Sequence, residues 1–172
     1  MRRVDLEFVP GDLEVAKPGV LYASEYRGAC WWILNPSGFA LKTAVCTSHL
    51  TYGLAVLQGG SAVLATCRSE DVVHVWRRIA GLLYEELPRS LPLHDISIGD
   101  VDVGPDGHIY LCLAAGGMVL ELDQQFRVVD ALARDLRAPQ DVAFSPDGQR
   151  AYVLEAPGIG PEFVYVYVRD VD

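Results

Sequence analysis

The sequence predicts an all-β chain of four repeated antiparallel sheets, each with four strands. Three observations carry this reading: a motif that recurs about every 40 residues, alternation of apolar residues within its runs, and a glycine turn at a fixed place in each copy. The copies open at Asp12, Gly53, Asp100 and Asp141, which lie 41, 47 and 41 residues apart. In each, the second and fourth residues are apolar (Leu13 and Val15, Leu54 and Val56, Val101 and Val103, Val142 and Phe144). The eighth is glycine: Gly19, Gly60, Gly107 and Gly148.

The elements follow in order within each copy. Apolar second and fourth positions give the period of two of a strand. Pro105-Asp106-Gly107 and Pro146-Asp147-Gly148 then supply a turn with a mechanism. Proline presets φ, aspartate tolerates the bridge or left-handed region, and glycine takes positive φ. Second runs follow at Val20–Ala23, Ala62–Thr66, Ile109–Leu113 and Arg150–Leu154, and three copies place a tyrosine shortly after the glycine: Tyr22, Tyr110 and Tyr152. Third runs are Cys30–Leu34, Val72–Trp76, Met118–Leu122 and Phe163–Val168. Fourth runs are Phe39–Val45, Leu82–Leu87 and Phe126–Ala131, and Asn35-Pro36-Ser37-Gly38 is an explicit turn before the first of them. Over Val75–Leu87 the residues Trp76, Ile79, Leu83 and Leu87 also fit helical spacing. Gly81 and the match to the other copies favour strands.

The fourth copy lacks a fourth run. Arg3-Val4-Asp5-Leu6-Glu7-Phe8-Val9 alternates polar and apolar and belongs to no copy, so it is expected to pair with Phe163–Val168 and close the sheet edge. A separate N-terminal edge strand is the simpler alternative.

The 172 residues, 51% hydrophobic, are enough for one domain spanning 1–172 whose core needs no disulfide or metal. A net charge of −9 with scattered basic residues, whose only doublets are Arg2-Arg3 and Arg77-Arg78, argues against nucleic acid and anionic membrane as partners. No apolar run approaches the roughly 20 residues of a membrane span. Acidic residues within Met1–Glu7 do not fit a signal peptide, so the expected location is cytoplasmic. Cys30, Cys46, Cys67 and Cys112 show neither C-x-x-C nor zinc spacing. They are expected as buried thiols, with Cys30–Cys46 the exception if those residues lie on neighbouring strands.

The candidate chemistry is sparse. Asp12, Asp100 and Asp141 share one repeat position, with Gly53 in the other copy, and three carboxylates near one axis could hold a cation or a cationic ligand. The structural alternative is that each aspartate accepts backbone N–H bonds as its sheet begins. The acidic string Asp95–Gly107 is not an EF-hand, because Leu111 stands where the twelfth-position glutamate belongs. Trp31-Trp32, near Tyr22 and Tyr26, concentrate aromatic surface. Neighbours on a strand face opposite ways, so one packs inside while the other meets a neighbour or solvent. His49, His74, His94 and His108 form no metal or triad motif, and no cofactor, metal site or catalytic residue is expected.

Asp-Val-x-apolar-x-Pro-Asp-Gly followed by an apolar-tyrosine strand, best seen over 95–156, resembles the β-propellers of the NHL and YVTN (lactonase-like) type. The resemblance implies a β-propeller of four four-stranded antiparallel blades, at about 12–46, 53–87, 100–134 and 141–172, with strand 3–9 completing the last. Rings of that type usually have six to eight blades, so a second assembly is a head-to-tail pair of chains forming eight. The metal-dependent lactonases of this type use a glutamate, asparagine and aspartate set that cannot be placed here, since Asn35, the sole asparagine, lies in a turn. The fold hosts scaffolds, binders and enzymes. The expectation is a non-catalytic interaction or scaffold module that binds a protein partner or self-associates. The alternative is a small-molecule or metal-binding propeller, even a lactonase-like hydrolase, built on the axial carboxylates. Asp12, Asp100, Asp141, Trp31 and Trp32 are the candidate ligand-binding residues.

Overall fold

The computed structural model describes residues 10–16, 20–25, 28–34, 41–46, 51–67, 72–81, 83–87, 91–92 and 97–169. Their hydrogen bonding makes four antiparallel sheets in chain order. Sheet 1 runs β1 (Pro10–Ala16), β2 (Val20–Glu25), β3 (Cys30–Leu34), β4 (Leu41–Cys46). Sheet 2 runs β5 (Thr51–Val56), β6 (Ala62–Cys67), β7 (Val72–Ala80), β8 (Leu83–Glu86). A two-residue strand, β9 (Leu91–Pro92), follows in the chain. Sheet 3 runs β10 (Ile98–Val103), β11 (Ile109–Leu113), β12 (Met118–Leu122), β13 (Val128–Ala133). Sheet 4 runs β14 (Pro139–Phe144), β15 (Arg150–Glu155), β16 (Phe163–Val168). The chain divides into two compact units, Met1–Ser90 and Leu91–Asp172.

The turns follow from the repeat. Gly107 and Gly148 take φ of 81° and 73°, and each donates its N–H back three residues, to the carbonyls of Gly104 and Ser145. Asp147 accepts bonds from the Ser145 hydroxyl and the Gln149 N–H, which hold its carboxyl below the usual carboxylate range. Over 75–87 the strand pattern prevails over the helical one. β7 and β8 form a hairpin that pairs Trp76 with Glu86 and turns at Gly81, whose φ is 53°. Sheet 4 shows three strands among the described residues. The expected closing strand Arg3–Val9 lies outside them. No helix among them is long and apolar enough to cross a membrane.

Each unit packs one sheet face against the next. In the first, Tyr22, Trp31 and Ile33 of sheet 1 meet Leu54, Val63, Ala65 and Trp76 of sheet 2. In the second, Tyr110, Cys112, Val119 and Ala133 of sheet 3 meet Val142 and Val153 of sheet 4. Burying a large apolar side chain stabilises by about 1.5–3 kcal/mol, so each seam contributes substantially to its unit's stability.

Candidate functional site

The first strand of every sheet is bulged near the same place. Register slips between Pro10 and Leu13, Thr51 and Leu54, Ile98 and Val101, and Pro139 and Asp141. An extra residue in one strand leaves a backbone group without its ladder partner. Three sheets satisfy it in the same way, from the middle of the second strand. Asp12 donates its N–H to Ser24 Oγ at 2.9 Å, and Gly53 donates to Thr66 Oγ1 at 2.8 Å. Asp100 donates to the sulfur of Cys112. Ser24, Thr66 and Cys112 are all fully buried. In sheet 4 the matching residue is Leu154, which has no acceptor. Backbone approaches backbone closely here. A Cβ on Gly99 would stand 2.8 Å from the Gln140 carbonyl oxygen and 3.0 Å from that of Pro139.

These bulges place the predicted aspartates. Asp12 is half-buried, and its Oδ2 accepts the Leu54 N–H at 2.8 Å. Ser24 extends the same link by donating to the Tyr52 carbonyl at 3.2 Å. Asp12 thus straps the bulge of sheet 1 to that of sheet 2, which is the structural alternative drawn from the sequence. In the other unit, half-buried Asp100 and exposed Asp141 act on one buried thiol. Burial pushes the Cys112 thiol well up, and the Asp100 and Asp141 carboxylates push it further, against the opposing Asp100 N–H. Cys112 is therefore a poor nucleophile at neutral pH.

Trp31 and Trp32 separate as their alternation requires. Trp31 is completely enclosed, with ring centroids 5.4 Å from Tyr84, 5.8 Å from Trp76 and 6.1 Å from Tyr22. It packs the seam. Trp32 faces the other way and is half-buried. Tyr22 and Tyr84 share a hydroxyl bond of 2.8 Å, and Tyr84 donates to the Gly60 carbonyl.

Strand register decides two questions the sequence left open. Cys30 is disulfide-bonded rather than a thiol, and Cys46 stands opposite it across β3 and β4. Cys67 and Cys112 are free and buried. The histidines that looked isolated in sequence meet glutamates on neighbouring strands. His74 Nδ1 lies 2.6 Å from Glu86 Oε1, and His108 Nδ1 lies 2.5 Å from Glu121 Oε1.

Asp106, His108 and Glu121 form a cluster the sequence reading did not single out, with donor atoms within 4.8 Å of one another. The set has the right elements for a divalent cation, but the protein's own groups already occupy it. Arg169 bonds Asp106 Oδ2 and donates to the Tyr110 hydroxyl at 2.8 Å, and that hydroxyl donates to Asp106 at 2.9 Å. The guanidinium also lies over the Tyr110 and Phe144 rings, at 5.4 and 5.5 Å. Burial works to raise the Asp106 carboxyl, but Arg169, the His108 N–H and the Tyr110 hydroxyl together hold it below the usual range. A guanidinium supplies the positive charge a metal ion would bring, so the cluster fits a clamp between sheets 3 and 4 better than a metal centre.

The remaining feature is bare. On β16, Val164, Val166 and Val168 are 62%, 54% and 78% exposed, on the face that carries Tyr152 and Leu154 by register.

Comparison with solved structures gives the fold a name. A gluconolactonase of Xanthomonas campestris matches 93% of this chain over 57% of its own length, at 15% identity and a TM-score of 0.75. The chain has the β-propeller fold. A luciferin-regenerating enzyme (14% identity, 90% of this chain, 59% of its own, TM-score 0.72) has the same architecture. So does a β-propeller domain from Myceliophteria thermophila (12%, 85%, 49%, 0.69). The propeller chain therefore spans about half to three-fifths of the structures it matches. At such identities the likeness is one of fold. No protein family and no curated protein sequence matches the chain.

Proposed function

We propose that this propeller is a non-catalytic interaction module that works through its sheet faces rather than through an axial reaction centre. The observation that supports it most is the open valine face of β16. Contiguous exposed apolar surface on a folded domain marks a place where another surface docks. The candidate chemistry supports the same reading. Asp12 is engaged as a strap, and the thiol nearest Asp100 and Asp141 is held protonated. A lactone-hydrolysing propeller is the second reading, favoured by Asp100 and Asp141 sharing one neighbourhood and by the likeness to a gluconolactonase.

The test is direct. The purified chain, given a sugar lactone with calcium, magnesium, manganese or zinc, is expected to hydrolyse it no faster than buffer. An Asp100→Ala/Asp141→Ala variant is expected to behave the same. Turnover that needs the metal and disappears in that variant replaces the interaction reading with the hydrolytic one.

A further inference from the structure

Within each unit the two sheets stack by one rule. The face of sheet 1 that carries Tyr22 is closed by the β5 side of sheet 2, through Leu54. The face of sheet 3 that carries Tyr110 is closed by the β14 side of sheet 4, through Val142. Tyr22 and Tyr110, like Leu54 and Val142, occupy matching repeat positions, and all four are buried. Among the described residues, two faces show no such cover within their own unit. Tyr152 matches Tyr22 and Tyr110, yet it is only half-buried, and around it lie exposed Ala143, Val164, Val166 and Val168. Leu13 matches Leu54 and Val142, yet it is 51% exposed, and Val15 beside it is 69% exposed.

We infer that the Tyr152–Val166 face of sheet 4 seats the Leu13–Val15 face of sheet 1 from a second copy of the chain. This rests on the interaction reading and names the partner. Three observations favour another copy over an unrelated protein. The bare face is of the kind that takes a β1-type surface elsewhere in the chain. The chain itself carries a β1-type surface with exposed apolar residues. The chain also spans 49–59% of the length of three propellers it matches, and two copies together would span about that whole length. The contact is heterologous, joining unlike surfaces. Two such contacts related by a two-fold axis close into a dimer, and without closure they continue as a filament.

The experiment measures mass by sedimentation velocity over a concentration series, with the whole chain. The wild type is expected to associate. Val166→Glu and Val15→Glu should each weaken association by about 100-fold or more, because a charge opposite an apolar surface costs several kcal/mol. Both side chains are exposed in the single chain, so circular dichroism and thermal unfolding of the isolated variants should stay close to wild type. Mixing the variants separates this proposal from others. Val15→Glu retains a good sheet 4, Val166→Glu retains a good sheet 1, and the mixture should associate more strongly than either alone. A monomeric wild type overturns the proposal. So does an associating wild type that Val166→Glu breaks but Val15→Glu does not, since sheet 4 would then be pairing with itself or with another segment. A mixture no stronger than its components overturns it as well. None of these outcomes touches the lactone assay, so the proposal and the reading beneath it fail separately.

Discussion

The two units seal the same repeat seam by different chemistry. In Met1–Ser90 the repeat tyrosine, Tyr22, sits among Trp31, Trp76 and Tyr84, and its hydroxyl is satisfied by another neutral hydroxyl. In Leu91–Asp172 the matching Tyr110 packs on Phe144, with ring centroids 4.6 Å apart, and its hydroxyl lies between Asp106 and Arg169. The position and the strand pairing are the same. One seal is neutral and aromatic, and the other is completed by charge. The difference teaches that where a seam buries the repeat tyrosine, its hydroxyl finds a bond, while the chemistry of the partner is left open.

The comparison can be broken most sharply at Trp31. Trp31→Ala removes the ring shared by three aromatic contacts of the first seam and should cost about 3–5 kcal/mol. Val119→Ala in the second seam deletes far less volume and should cost markedly less. Chemical denaturation followed by circular dichroism reads both, and equal losses would mean that the aromatic nest is not what holds the first unit.

A smaller effect is expected at Gly99, where β10 and β14 meet backbone to backbone. Gly99→Ala places a methyl group 2.8 Å from the Gln140 carbonyl oxygen and should destabilise by about 1–3 kcal/mol, since neither backbone can give way cheaply. Unchanged stability would show that the bulge has room the geometry denies.

The smallest effect concerns acid. Asp106 has a lowered folded-state value, so its contribution is complete above the ordinary carboxylate range. It is lost as pH falls through the lowered value. Arg169→Gln removes the main charge partner and should flatten that portion of the stability curve, leaving the neutral-pH stability modestly reduced. Acid titration of the two proteins, followed by near-ultraviolet circular dichroism, checks this. Parallel curves would assign the acid sensitivity to other carboxylates. The Tyr22 seal contains no carboxylate and should add nothing to the difference.

Much of the fold was legible because turns and alternation are local. Pro105-Asp106-Gly107 and Pro146-Asp147-Gly148 announced their hairpins, and Met118–Leu122 and Phe163–Val168 carried their strands at the predicted limits. The carboxylate positions were legible too, but their purpose was not. A ring of aspartates and a set of backbone straps look alike until the Leu54 N–H is found on Asp12. Ser24, Thr66 and Cys112 were overlooked although they recur at one position. A small polar residue in an apolar run looks neutral until a bulge, invisible to a period of two, gives it a donor to accept. The Cys30–Cys46 exception hung on register, which sets the two residues opposite each other across β3 and β4. The Arg169 clamp spans 63 residues from Arg169 to Asp106, beyond any local pattern.

β16 has one more consequence, and it concerns handling. Phe163-Val164-Tyr165-Val166-Tyr167-Val168 contains no charge, no proline and no glycine, and among the described residues it pairs on one side only, with β15. Such a segment can template the stacking of further strands into cross-β fibrils. Concentrated stocks of this protein should therefore be watched for thioflavin-positive material. A single lysine in place of Val166 would act as a gatekeeper against it.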